Sequence, residues 1–290
     1  MSFLFPIAVG AGVSWSVAVL LPPGYWRRLS VPNHRGVLVS GGLGLPIALA
    51  VVPPGIMVLL VIAARGTHVD GFLWAILGGA TLVFLAGLLD DLLPGGPRGL
   101  RGHVLLVSRG SISTGLIKAA AGVMGGALVA FLVPGRSVLD RTLGIVVIAG
   151  AANLWNGFDV APARAVKLFL LAAVPLAVVH PTGTLLRAIG AVLPAGWVDL
   201  RERAMLGDAG ANFLGFLAGA HLYLYADLSL WALCVAAVAS IGLNLAAETV
   251  TLSRIIEATP PLRWFDRLGR LPVEPTEPEG GVGPRDSSAI

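Results

Sequence analysis

Residues 71–91 read GFLWAILGGATLVFLAGLLDD, an uncharged apolar run that ends in two adjacent aspartates. A helix that crosses a lipid bilayer needs about 20 mostly apolar residues, so this stretch predicts a membrane-spanning helix. The run is continuously apolar rather than alternating, which argues against a strand of a transmembrane barrel. Asp90 and Asp91 are then expected at one membrane surface.

The composition of the whole chain agrees with that first stretch. Of its 290 residues, 56% are apolar and only 12% are charged, and the mean hydropathy is +0.85. Soluble domains carry about 25% charged residues, so a soluble protein is excluded. The single cysteine, Cys234, excludes an intrachain disulfide and a zinc site built from cysteines.

Proline, glycine and charged residues divide the chain into further apolar stretches of similar length. We predict spans near 3–21, 37–63, 71–93, 113–133, 142–158, 165–180, 183–198, 209–226 and 229–252. Pro175 and Pro194 interrupt the sixth and seventh, which could be tilted, broken or re-entrant. The sequence thus predicts an all-α polytopic integral membrane protein, with one membrane-embedded domain over 1–270. The tail, 271–290, is rich in Pro, Gly and Glu and is expected to be disordered.

Positive charge predicts the orientation of this protein in the membrane. We interpret the first stretch as an uncleaved span with its N-terminus outside, which places the C-terminal tail in the cytoplasm. Of the 20 Lys and Arg residues, all fall on the cytoplasmic side except Arg65, Arg136, Arg141 and Arg187, as the positive-inside rule requires. The net charge of +4 then describes a face next to anionic lipid, not a surface for nucleic acid.

Four aspartates fall at the predicted cytoplasmic ends of spans: Asp90, Asp91, Asp159 and Asp208. They are either ordinary interfacial carboxylates or parts of one functional site. Oxygen ligands without a Cys or His cluster favour Mg²⁺ or Mn²⁺, and Mg²⁺ often shares its coordination with substrate phosphates. Lys118, about a turn into the next span, and Arg35, near the glycines of 41–44, could bind such a substrate.

Five ordered motifs resemble a known family. PNHRG with a following GG, GLLDDLLP, STGLIK, NLWNGFD and LGDAGANFLG occur in the family's order between about residues 30 and 270. The chain thus resembles the polyprenyl-phosphate N-acetylhexosamine-1-phosphate transferases, which include phospho-N-acetylmuramoyl-pentapeptide transferase and undecaprenyl-phosphate N-acetylglucosaminyl-1-phosphate transferase. The family has about ten membrane helices, so nine to ten are expected here, with a cytoplasmic active-site face in the bacterial plasma membrane.

The resemblance implies transfer of a sugar 1-phosphate from a UDP-sugar to polyprenyl phosphate, with release of UMP, in cell-wall or surface-glycan synthesis. It implies Mg²⁺ or Mn²⁺ held by Asp208 and Asn156. It implies catalytic roles for Asp90, Asp91 and Lys118. The substrate-binding residues that we carry over, or place beside these motifs, are Asn153, Asn156, Asp159, Arg35, Asn212 and Arg164.

Two alternatives stay open. Relatives carry acids where this chain has Pro94 and Pro162, so a catalytically altered relative that binds lipid phosphate or nucleotide without transfer is one of them. A membrane transporter is the other, although no internal repeat and no mid-membrane acid supports it. The expected partners are the UDP-sugar, polyprenyl phosphate and membrane lipid, without nucleic acid. A homodimer is also open, because relatives include dimers and glycine-rich spans permit close helix contacts.

Overall fold

A computed structural model describes residues 3–93, 112–225, 229–249 and 252–271. Its long helices are α1 (Leu4–Leu20), α3 (Gly44–Ala64), α4 (Gly71–Leu92), α5 (Thr114–Leu132), α6 (Val138–Phe158), α7 (Arg164–Val179), α8 (Gly183–Leu200), α9 (Gly207–Tyr225) and α10 (Leu230–Thr249). Three short helices accompany them: α2 (Pro23–Arg28), α11 (Leu252–Ala258) and α12 (Pro260–Arg267). A single hairpin joins β1 (Ser30–Pro32) to β2 (Leu38–Ser40).

The long helices fall on the apolar stretches that the sequence predicts, which confirms an all-α membrane protein. Within the described ranges, five helices are long and apolar enough to cross a membrane: α3, α4, α5, α6 and α10. The larger number of crossings and their orientation stay predictions. So does the disordered tail, because residues 272–290 lie outside the described ranges.

The two stretches with internal prolines form continuous helices. Pro175 lies inside α7 and Pro194 inside α8, and neither helix is broken there. Proline removes one backbone donor and crowds the preceding turn, but membrane helices accept it where neighbouring groups satisfy the freed carbonyl. The structure therefore excludes a break at these prolines, while a tilted or re-entrant position in the membrane stays a prediction.

Residues 37–43 do not belong to the span that we predicted over 37–63. Leu38–Ser40 pairs with Ser30–Pro32 in antiparallel register, Val31 opposite Val39. The turn between them depends on Asn33, whose side-chain oxygen accepts from the amides of Arg35 and Val37 at 2.9 and 3.0 Å, as asparagine does in turns. The hydropathy pattern does not reveal this short strand, because its apolar residues lie directly before those of α3 in the sequence.

The hairpin is attached to the segment that precedes α9. The Met205 amide donates to the Ser40 carbonyl at 2.7 Å, and the Leu43 amide donates to the Met205 carbonyl at 3.1 Å. These bonds join the start of α3 to the start of α9, which are more than 160 residues apart in the chain. The first turn of α9 is thereby fixed from one side.

Helix α9 is the centre of the bundle, and almost every residue from Ala209 to Ala220 is buried. Its Phe216 ring lies over the crossing of Gly79 in α4 and Gly125 in α5, where a Cβ on either glycine would lie within 3.0 Å of the ring. Small residues let membrane helices approach closely, and here two glycines make room for an aromatic ring from a third helix.

Candidate functional site

Lys118 lies between two aspartates from different helices. Its Nζ forms ion pairs with Asp90, at the end of α4, and with Asp208, in the first turn of α9. All three side chains are partly exposed, with 15%, 22% and 30% of Lys118, Asp90 and Asp208 accessible. Two carboxylates that share one ammonium must lie close to a common point. Three sequence motifs therefore meet at one end of the bundle.

Asp91 has a different function from its neighbour Asp90. Its two carboxylate oxygens accept from the backbone amides of Asp208 and Ala209, both at 2.9 Å. The first amides of a helix have no partner inside the helix and carry positive partial charge. Asp91 therefore caps α9 from another helix and holds Asp208 in place, and its expected catalytic role stays a prediction.

Asp159 directly follows α6 and reaches the same helix end. Its carboxylate accepts from the Gly207 amide, and loss of hydration, followed by the charges of Asp199, Asp208 and Asp91, raises the pKa of Asp159 well above its ordinary value. The principal cause is desolvation, which disfavours the charged form. The result is an acidic cluster, which we define as Asp90, Asp91, Asp159 and Asp208, around the first turn of α9.

The glycines of residues 41–44 serve helix packing here. A Cβ on Gly44 would lie 2.4 Å from the backbone nitrogen of Gly210, and one on Gly42 would lie 2.8 Å from the Tyr25 ring. On the other side, a Cβ on Gly87 would lie 2.7 Å from the Ala209 Cα. The space beside Gly42, Gly44 and Gly87 is therefore filled by protein.

The three asparagines lie in different surroundings. The Asn153 amide donates to Asn244 Oδ1 of α10 at 2.7 Å. Asn212 is buried, and its amide donates back to the Asp208 carbonyl at 2.6 Å. Asn156 lies in the last turn of α6, one turn beyond Ala152, which packs on α9 at Gly215. The Asn156 carbonyl accepts from the Asp159 amide at 3.2 Å, so Asn156 and Asn212 each contact the backbone of one residue of the acidic cluster, whereas Asn153 contacts α10.

Arg35 lies on the hairpin turn and is held by an acid of the α8–α9 connection. Its guanidinium pairs with Glu202 at 2.7 Å and also donates to the Leu271 carbonyl at 3.4 Å. About a third of the Arg35 side chain is exposed, so the residue lies at the rim of the site. Its predicted substrate contact stays a prediction.

Arg164, the remaining predicted substrate residue, is buried in a structural contact. Its guanidinium makes two hydrogen bonds to Asp266 of α12, at 2.7 and 3.0 Å, and a third to Ser253 at 2.9 Å. Lys167 donates to the carbonyls of Phe265, Asp266 and Leu268. These two cations attach α12 to α7 in a contact that we call the α12 clamp, so Arg164 is not brought to the acidic cluster.

The clamp holds its central acid in the ionised form. Burial alone would raise the pKa of Asp266, but the hydrogen bonds and charge of Arg164, with the charges of Arg270 and Lys167, lower it below the ordinary value. Opposite charges and hydrogen bonds to the charged form act in this direction. Sequence reasoning missed Asp266, because its partner Arg164 lies 102 residues away.

An apolar groove between α4 and α5 leads to the ion-paired lysine. It has a volume of about 520 Å³, and its walls are Leu82, Leu85, Ala86, Leu89, Ile112, Leu116, Ile117, Ala120, Ala121 and Met124. Leu89 directly precedes Asp90, and Ile117 directly precedes Lys118. One end of an apolar surface therefore meets the charged site, an arrangement that hydropathy alone does not reveal.

Two carboxylates of the acidic cluster have the chemistry of ligands for the expected divalent cation. Within the described ranges, no three His, Cys, Asp or Glu side chains are grouped so that they could hold a metal ion by themselves. Mg²⁺, however, is usually bound by one or two carboxylates together with substrate phosphates. Asp90 and Asp208 already converge on one cationic group, the Lys118 ammonium, so an oxygen-only set of two carboxylates fits a magnesium ion shared with a substrate.

Comparison of the chain with models of known protein families finds no matching family, and comparison with curated proteins finds no similar sequence.

Proposed function

We propose that this protein transfers a sugar 1-phosphate from a UDP-sugar to polyprenyl phosphate and releases UMP. The observation that carries the proposal is the Lys118 ammonium, which lies between Asp90 and Asp208 at the end of an apolar groove. A lipid phosphate has the matching form, since its tail is apolar and its head is anionic. The five ordered sequence motifs supply the identity of the second substrate.

The apolar groove is suited to the isoprenoid chain. Its walls carry only apolar side chains, and apolar contact stabilises a tail by about 25 cal/mol for each Å² removed from water. With the tail between α4 and α5, the phosphate lies at the level of Lys118. The ammonium is a compact point charge on a flexible stem, so it can leave one carboxylate and pair with the incoming phosphate.

The reaction brings two anions together, and the residues of the site compensate that repulsion. Lys118 offsets the charge of the lipid phosphate while an oxygen of that phosphate attacks the β-phosphorus of the UDP-sugar. The lipid phosphate is already ionised near neutral pH, so Asp90 is needed for orientation rather than as a strong base. Asp208, with Asp90 and the nearby Asn156, would hold Mg²⁺, which when bound supplies charge neutralisation for the departing UMP.

The test is UMP release by the purified protein with undecaprenyl phosphate, Mg²⁺ and a panel of UDP-sugars. We expect release with at least one sugar, loss of release with EDTA, and a loss of about 100-fold or more in Asp208→Asn. Asp70→Asn, at the opposite end of α4, is the control. No release with any sugar from folded protein, together with retained binding of UMP, would instead favour a non-catalytic relative.

A further inference from the structure

A small pocket next to the acidic cluster contains a buried carboxylate with an unused oxygen. Asp199, at the end of α8, is 2% exposed, and its Oδ2 has no hydrogen-bond partner among the residues that the structure describes. Its other oxygen accepts from the backbone amide of Ala163. A buried polar atom without a partner costs about 1–3 kcal/mol, so an acceptor left free at this position requires an explanation.

The pocket is built from the segments that flank the proposed site. Asn33 and His34 of the hairpin turn, Pro162 of the α6–α7 connection, and Asp199 and Glu202 of the α8–α9 connection lie on its walls. Its volume is about 10 Å³, enough for one polar group of the size of a water molecule. Asp199 lies close enough to Asp159 for their charges to interact, so the pocket lies beside the acidic cluster.

The backbone around this pocket is strained. Among the described residues other than glycine, only Ala163 and Glu202 have a positive φ, at 51° and 55°. Ala163 donates to Asp199, and Glu202 lines the pocket and pairs with Arg35. Such conformations cost of order 1–3 kcal/mol each and are concentrated at functional sites. The two residues with a positive φ thus belong to one pocket, Ala163 through its bond to Asp199 and Glu202 as a lining residue.

We propose that Asp199 binds a hydrogen-bond donor on the nucleoside half of the sugar nucleotide and thereby determines which nucleotide is accepted. The proposal rests on the proposed function, because it assumes a nucleotide in this site. A free carboxylate oxygen accepts only from N–H or O–H groups, and the pocket has room for one. Two groups of uridine have that chemistry, the imide N–H of the base and a ribose hydroxyl.

Pro162 is one reason why we assign the selective contact to Asp199. Proline has neither a side-chain polar group nor a backbone N–H, so this wall of the pocket offers no polar side chain from the α6–α7 connection. Asp199 supplies the carboxylate from α8 instead, and the Ala163 amide next to Pro162 orients it. We therefore assign to Asp199 the selective contact.

Binding of nucleotides, measured without turnover, tests this assignment. UMP, N3-methyl-UMP and 2′-deoxy-UMP are titrated in turn into the detergent-purified wild type and into Asp199→Asn by isothermal calorimetry. Asparagine keeps the oxygen that accepts from Ala163 but replaces the free acceptor with a donor. We expect the wild type to bind one of the two analogues at least about tenfold more weakly than UMP, with no such difference in Asp199→Asn.

A base contact and a sugar contact give different results. If the imide is bound, Asp199→Asn also gains affinity for CMP, whose N3 is an acceptor. If the ribose is bound, only the 2′-deoxy penalty disappears. Equal ratios of affinity in the wild type, Asp199→Asn and the control Asp70→Asn would overturn the role of Asp199 while leaving the proposed function intact. Absence of UMP binding to the wild type would overturn both.

Glu202 provides a second variant in case Asp199→Asn does not fold. Glu202→Gln lies on the pocket wall and leaves Asp199 unchanged. We expect it to keep the wild-type discrimination between UMP and the sensitive analogue, although overall affinity can fall because Arg35 loses its partner. Loss of that discrimination in Glu202→Gln would assign the selective contact to Glu202 and overturn the assignment to Asp199.

Discussion

The carboxylate of Asp91 accepts the backbone N–H of Asp208 at 2.9 Å, across 117 residues of sequence. The two aspartates thus have complementary functions, because the first fixes the backbone from which the second presents its side chain. Asp90, the immediate neighbour of Asp91, points to Lys118 instead. The two adjacent acids therefore have different partners, because Asp91 binds the backbone of α9 and Asp90 binds the Lys118 side chain.

Removal of the cap should reduce both stability and activity. Asp91→Ala leaves two amides of α9 without acceptors, and loss of a helix cap costs about 0.5–2 kcal/mol. We expect a lower unfolding temperature in detergent and slower UMP release, because Asp208 loses its fixed position. Ser137→Ala, which removes the cap of α6 at its opposite end, should lower stability alone. A wild-type rate in Asp91→Ala would exclude the positioning role.

Lys118 should resist replacement even by arginine. Lys118→Met leaves Asp90 and Asp208 facing each other without a cation, and Lys118→Arg substitutes a planar fork for a point charge. We expect both variants to lose about 100-fold or more in UMP release. The exposed Arg65 at the far end of α3 provides the matched control, Arg65→Met, which should keep the wild-type rate. Full activity in Lys118→Met would contradict the proposed phosphate contact.

Filling the groove should affect the lipid substrate alone. Ala120→Trp places a large ring on the groove wall between α4 and α5. We expect the KM for polyprenyl phosphate to rise by about tenfold or more, with UMP binding unchanged. Val178→Trp adds the same ring to an exposed position of α7 and serves as the control. An unchanged KM for the lipid in Ala120→Trp would place the isoprenoid chain elsewhere.

Two adjacent glycines of α4 should differ in their tolerance of a methyl group. A Cβ on Gly79 would lie 2.5 Å from the Phe216 ring, whereas a Cβ on Gly78 meets nothing within 4 Å. Gly79→Ala should therefore destabilise the protein by about 1–3 kcal/mol, and Gly78→Ala should be neutral or slightly stabilising. Thermal unfolding of both variants measures the difference. Equal stabilities would contradict the close crossing of α4 and α5.

Acid should release the α12 clamp. Because the pKa of Asp266 is lowered in the folded protein, its ionisation stabilises the clamp above the ordinary pKa of about 3.8, and that stability is lost as the pH falls through the lower, folded-state value. A fluorophore on Trp264→Cys, in a Cys234→Ser background, should report release of α12 in that acidic range.

The matched variant of the clamp is Asp266→Asn. It removes the buried charge and leaves Arg164 unpaired, which costs about 3–5 kcal/mol. The reporter on α12 should then show release already at neutral pH, with no further step in acid. If the acid step persisted in Asp266→Asn, a different group would be responsible for it.

The sequence is sufficient to predict the helices but not the contacts between them. Long apolar runs define α4 and α5 closely, because hydropathy is the main signal that a segment spans a bilayer, whereas the start of α3 was placed seven residues early. The start of α6 was placed four residues late, because its capping box of Ser137 and Asp140 consists of polar residues that a hydropathy pattern excludes.

The motifs of the candidate site could be predicted from the sequence, but the positions of their side chains relative to one another could not. The pairing of Lys118 with both Asp90 and Asp208 depends on three helices that meet at one end of the bundle, and a single sequence holds no distance information. Asp199 and Asp266 were missed for the same reason, since each has its partner far away in the sequence, Ala163 for Asp199 and Arg164 for Asp266. Arg164 lies just after the NLWNGFD motif, yet only its burial against Asp266 reveals its contact.

The clamp also affects the order in which the helices can pack while the protein is being synthesised. Arg164 leaves the ribosome 102 residues before Asp266, which at typical rates of translation is an interval of roughly 5–20 seconds. During that interval the guanidinium has no carboxylate to neutralise it in its future buried position. The final packing of α7 must therefore wait for α12, so that the membrane domain is closed by one of its last helices to be made.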